Sequence, residues 1–158
     1  PAYAKTPPAR DAGVMMRQRT AYLLGLAIWP IFLVTAVLLG AFRESVISPA
    51  LGEQMAHVIG TLLFVSVMLA IQWIFVAKVG ESFRQSDLWL IGLMWTAMIL
   101  CFEFGFFHFV ASVPWERLLA DYNIFAGRLW LLVLLTTLFG PPTIYAVQGW
   151  RAGGKGHV

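Results

Sequence analysis

Three side chains stand where hydrocarbon would be expected, and their types could carry chemistry: Glu103, His57 and His108, each within or at the rim of a long apolar stretch. A carboxylate in a lipid-like interior is costly, so such groups are paired, protonated or in contact with a water-filled cavity. Glu103 falls roughly 10 Å from the near end of its stretch, read as a helix. Gly92 and Thr96 precede it by eleven and seven residues, spacings that place all three on one helical face and predict that this face points inward.

His57 and His108 each lie about two residues from the same boundary on consecutive helices, hence at similar depth. A haem or another metal held between them is one reading, since neutral imidazole ligates both. His57 continues a face with Thr61, Met68 and Gln72, and His108 one with Cys101, Gly105 and Ser112. On an α-helix the five residues from Glu103 to His108 turn ~140°, so the two need not share a site. Arg128, at the start of the last apolar stretch, is a cation that could meet Glu103.

Each group also has a plainer role. Glu103 could bond a Thr, Trp or His of a neighbouring helix and serve packing alone. Histidines near a membrane boundary commonly hydrogen-bond at the interface. Arg128 could snorkel toward phosphates or meet Asp121. The run Phe102, Phe104, Phe106, Phe107 and Phe109 reads as lipid-facing and packing surface, not as a cofactor box.

The elements that position these groups follow from composition. The chain has 158 residues, 59% of them hydrophobic, 15% aromatic and 12% charged, with a mean hydropathy of +0.76. That is more apolar surface than a domain of this size can bury in water. Four spans are expected at about 21–42, 55–77, 88–110 and 128–147, with tails 1–19 and 148–158. The expected fold is all-α, a single membrane domain over 1–158 forming an integral membrane four-helix bundle. There is no length left for a soluble catalytic domain. The first span lacks a small-residue cleavage site and reads as a retained helix, not a signal peptide. Pro1 is what removal of an initiator methionine would leave.

Connections are short. Residues 43–54 contain Ser48-Pro49 and Gly52 and read as a turn or surface helix; residues 78–87 read as a polar turn. Trp29-Pro30 should bend the first span, and Gly140-Pro141-Pro142 should break the fourth, leaving its end unwound or sharply bent. Between the third and fourth spans, Trp115, Asp121, Tyr122 and Asn123 belong to a short amphipathic segment at the interface, with Ser112 as a cap before Pro114.

Orientation follows from charge. With the N-terminus inside, the cytoplasmic segments hold Lys5, Arg10, Arg17, Arg19, Lys78, Arg84, Arg151 and Lys155, eight of the eleven basic residues. Both termini are therefore expected inside. Trp73, Trp89, Trp115, Trp130 and Trp150 fall near span ends, where indoles prefer the headgroup region.

Several functions are excluded or unsupported. Cys101 is the single cysteine, which removes internal disulfides and cysteine-based clusters. No phosphate-binding glycine loop, nucleophile elbow or His-Glu-x-x-His motif is present, and carboxylates are too few for a di-iron centre. Two span histidines could bind at most one bis-histidine haem, which excludes a multi-haem architecture. The basic residues are scattered among tails and loops, so topology, not nucleic acid, explains them.

The stretch Phe102-Glu103-Phe104-Gly105-Phe106-Phe107-His108, followed by Ser112-Val113-Pro114-Trp115-Glu116-Arg117-Leu118-Leu119-Ala120-Asp121-Tyr122-Asn123 and Gly127-Arg128-Leu129-Trp130, resembles a pattern in uncharacterised small bacterial four-helix inner-membrane proteins. Phe107 stands where that pattern has a glycine. The resemblance carries no activity; it implies a bacterial inner (cytoplasmic) membrane and draws attention to Glu103, His108, Trp115, Asp121, Tyr122, Asn123 and Arg128.

The leading functional expectation is a non-enzymatic accessory subunit of a larger membrane complex. The first alternative is a small proton-linked transporter or channel acting as an oligomer through Glu103. The second is a redox subunit holding haem or quinone through His57 and His108. Expected partners are the lipid bilayer and other membrane subunits or a second copy. No cofactor is specified by the residues alone.

Overall fold

The computed structural model describes residues 9–120, 122 and 129–153. All regular structure among them is helical. The first helix, α1, runs Ala9–Phe42 and continues through a π-helical stretch, Arg43–Ile47, into the short α2, Ser48–Leu51. Next come α3, Glu53–Val79, and α4, Gln85–Phe102, the latter extended by a second π-helical stretch, Glu103–Val110. A short α5, Trp115–Ala120, precedes α6, Trp130–Gly153. Four helices are long and apolar enough to cross a membrane, with mean hydropathies of 2.4, 2.2, 1.9 and 1.6 over their most apolar 18 residues.

Local chemistry explains the boundaries. Gly52 takes a φ of +80°, which only glycine adopts without strain, and this single residue separates α2 from α3. The connection 43–54 is thus a helical extension of the first span with one sharp step. Pro49 does not interrupt it, because proline is tolerated in the first turn of a helix. At the start of α4 the Asp87 carboxylate accepts the Arg84 N–H at 2.9 Å, a capping contact, and also the Tyr22 hydroxyl at 3.1 Å, which ties α1 to α4. Ser112 adopts a φ of +56° where the second π-helical stretch ends. The first turn of α5 closes on the Pro114 carbonyl, so Pro114, not Ser112, stands at its cap.

α6 packs against α3 and α4, and α1 contacts the same two helices. Met68, Leu88, Ile91, Trp95, Val133 and Thr137 are fully buried. The Trp95 indole donates to the Gly25 carbonyl at 2.7 Å and meets Phe32 and Phe75 edge-on at 5.1 and 5.3 Å.

Pro141 and Pro142 lie inside α6, which runs on through them. The expected unwinding does not occur. Two prolines leave the carbonyls of Thr137 and Leu138 without their usual N–H partners. Gly92 of α4 lies against both carbonyls, so close that a Cβ there would collide with the Leu138 oxygen. Helix-to-helix contact through glycine thus covers the defect, with Cα–H groups facing the freed oxygens.

Candidate functional site

Glu103 is 93% buried and opens the second π-helical stretch. One of its oxygens, Oε2, accepts the Tyr122 hydroxyl at 2.7 Å and the Trp130 indole N–H at 2.8 Å. Tyr122 also stacks on Phe104, ring centres 6.0 Å apart. The carboxylate therefore fastens Tyr122, two residues beyond α5, and the first residue of α6 to the end of α4. The Trp130 bond is the tryptophan partner that the plainer reading of Glu103 allowed.

Arg43 opens the first π-helical stretch. Its Nη1 donates to Nδ1 of His57 at 3.2 Å, and its Nη2 pairs with Glu44. Gly60 makes room for this arrangement, since a Cβ there would lie 3.0 Å from the Arg43 Cδ. A guanidinium can only donate, so Nδ1 is the acceptor and a neutral His57 carries its ring proton on Nε2. In this arrangement the Nδ1 lone pair is engaged by an N–H and is not presented to a metal.

His108 has the opposite tautomer. Its Nδ1 donates to the Val113 carbonyl at 3.0 Å, and its ring lies over Trp115 with centres 4.1 Å apart. Bonds in the π-helical stretch run five residues back, as from Ala111 N–H to the Phe106 carbonyl, so the ~140° expected between Glu103 and His108 does not apply. His108 nonetheless turns to the segment around Trp115.

Between α1, α3, the end of α4 and the start of α6 lies a cavity of about 500 Å³. Arg43, His57, Thr61 and Glu103 contribute its polar wall; Trp29, Phe32, Phe64, Phe102, Phe107 and Trp130 contribute rings. His57 and Glu103 thus meet at one cavity, whereas His108 is not part of its lining. Each π-helical stretch begins at a charged residue of the cavity wall. Such extra-residue turns recur at functional sites, because they cost helix stability and re-aim side chains. Two lining residues, Val37 at 63% and Phe107 at 40% exposure, also belong to the outer apolar surface, so the cavity reaches that surface beside α1.

Of the residues singled out in the sequence, Trp115 packs against His108 and Phe104, and Tyr122 joins Glu103. Asp121, Asn123 and Arg128 lie outside the described residues. Arg43, which the sequence places in a connection, carries the second charge of the site; the signal for it is the position of Arg43 and His57 at the same end of consecutive spans. Gln72, on the face that His57 continues, is fully buried at Gly140, and neither its amide oxygen nor its nitrogen has a hydrogen-bond partner among the described residues. Among those residues no group of three His, Cys, Asp or Glu side chains is placed to hold a metal ion. No protein-family model, curated protein or solved structure matches the chain.

Proposed function

We propose that this chain is a non-enzymatic membrane subunit that holds a lipid-soluble small molecule in the cavity between α1, α3, α4 and α6. The observation that carries this reading is the cavity itself. Its volume is in the usual range for ligand sites, its walls are mainly aromatic and aliphatic, and a few polar groups converge on it. Entry from the bilayer is supported by the exposed lining residues Val37 and Phe107.

In the proposed setting the chain is a four-helix bundle of a bacterial inner membrane with both termini inside, and the cavity lies toward the outer face. The excess of basic residues in the tails and in the segment 78–87 supports this orientation. An accessory role in a larger complex fits the outward apolar surface of α1, of whose most apolar window only 11% is buried, against 39% for α3 and α6.

The test is mass spectrometry of organic extracts from the detergent-purified chain. Wild type should yield a stoichiometric lipid-soluble molecule, and Ala36→Phe, which places a ring in the cavity, should lose it while keeping its helical circular dichroism. Identical extracts from both would overturn the reading.

A second reading, a proton-linked transporter working as an oligomer, is favoured by one observation: the Glu103 carboxylate stands in the wall of the cavity. Unchanged flux of protons in proteoliposomes carrying Glu103→Gln would end it.

A further inference from the structure

We infer that the molecule held in the cavity has a neutral, planar, carbonyl-bearing head of the quinone type, with one carbonyl received by the guanidinium of Arg43. This rests on the ligand-holding reading above and names the ligand class for that site.

The argument begins with donors. Arg43 makes two side-chain hydrogen bonds, to His57 and Glu44, and a guanidinium has more N–H groups than that. Arg43 also lines the cavity, so its remaining donors form a polar point in a mainly apolar wall. The partner that suits a donor there is a hydrogen-bond acceptor.

Charge then decides between acceptors. An anionic head, such as a fatty-acid carboxylate, would meet an Arg43 already paired with Glu44. A cation already paired offers little attraction to a further anion. A neutral carbonyl takes the N–H bond without adding charge.

Shape decides the rest. Trp29 and Phe102 meet edge to face at 5.8 Å on the wall, and Trp130 is held in position by its bond to Glu103. Fixed ring faces suit a flat head by stacking. An apolar tail can leave between Val37 and Phe107, where the lining is continuous with the outer surface.

The experiment titrates the full-length chain in nanodiscs with a short-tailed benzoquinone and, separately, with oleate. Quenching of tryptophan fluorescence is the readout, because Trp29 and Trp130 line the cavity. Saturable quenching by the quinone is expected, with oleate binding about tenfold or more weaker. Arg43→Gln should weaken the quinone by about tenfold, as expected for a lost hydrogen bond from a charged donor. Arg43→Lys should recover part of that loss. Equal binding of the quinone to wild type and Arg43→Gln, or saturable binding of oleate with none of the quinone, would overturn the assignment. The oleate-only outcome leaves the ligand-holding reading standing. Failure of that reading shows instead as extracts that Ala36→Phe does not change. The comparison of the two ligands on wild type needs no variant to fold.

Discussion

The level of Gly92 and the level of Glu103 belong to the same helix pair, yet one is closed to atomic contact and the other is hollow. At Gly92, the carbonyl of Leu138 on α6 rests on a backbone without a side chain, so close that a Cβ there would strike it. Toward the other end, π-helical turns begin at Arg43 and Glu103, bulky rings line the helices, and about 500 Å³ stays open. In lipid no hydrophobic gain separates these two outcomes, because tails are as apolar as leucine. Small residues and hydrogen bonds decide where helices close. The difference teaches that the closed level supplies stability and leaves the open level free to carry a ligand.

The comparison breaks most sharply at Gly92. Gly92→Leu should lower stability by about 3 kcal/mol or more, since its Cβ would strike backbone and not a flexible side-chain end. Thermal unfolding in detergent, followed by size-exclusion chromatography, would show the loss. An unchanged melting midpoint would mean that α4 and α6 do not touch as described. Trp95→Phe comes next, with a cost of about 2 kcal/mol from the lost indole hydrogen bond to the Gly25 carbonyl and the lost ring area. The same unfolding measurement checks it, and a neutral result would remove the tie between α1 and α4.

Gln72→Leu should move stability the other way. An amide buried with no partner for either atom forfeits its hydration, so a leucine of similar volume should stabilise by about 1 kcal/mol. A rise in melting midpoint is the expected result; a fall would mean that Gln72 bonds the carbonyls freed by Pro141 and Pro142.

Much of the closed level was legible in the sequence, and little of the open one. The four apolar stretches, the inward face Gly92–Thr96–Glu103 and the shared face of Thr61, Met68 and Gln72, which is also buried, follow from a constant period near 3.6 residues. The π-helical stretches are invisible to that period, because one extra residue per turn shifts the phase of everything beyond it. For this reason the α-helical angle between Glu103 and His108 does not hold, although His108 still lies outside the cavity lining. Pro141-Pro142 reads as a breaker along the chain, but its effect depends on Gly92, which lies far away in sequence and close in space. Arg43 reads as part of a connecting turn or surface helix because Pro49 and Gly52 follow it. The cavity is a property of four helices together, and no local pattern encodes it.

A substitution at the open level tests the comparison from its other side. A ring inserted at the closed level would strain the fold, whereas Ala36→Phe inserts one where lining residues already leave space. Its stability should fall by about 1 kcal/mol or less, because the added ring has cavity space beside it. Loss of the extractable molecule with stability retained would separate the two levels by function, ligand at one and packing at the other. A loss comparable to that of Gly92→Leu would show that the open level is as tightly filled as the closed one, and the cavity would then have no claim to a ligand.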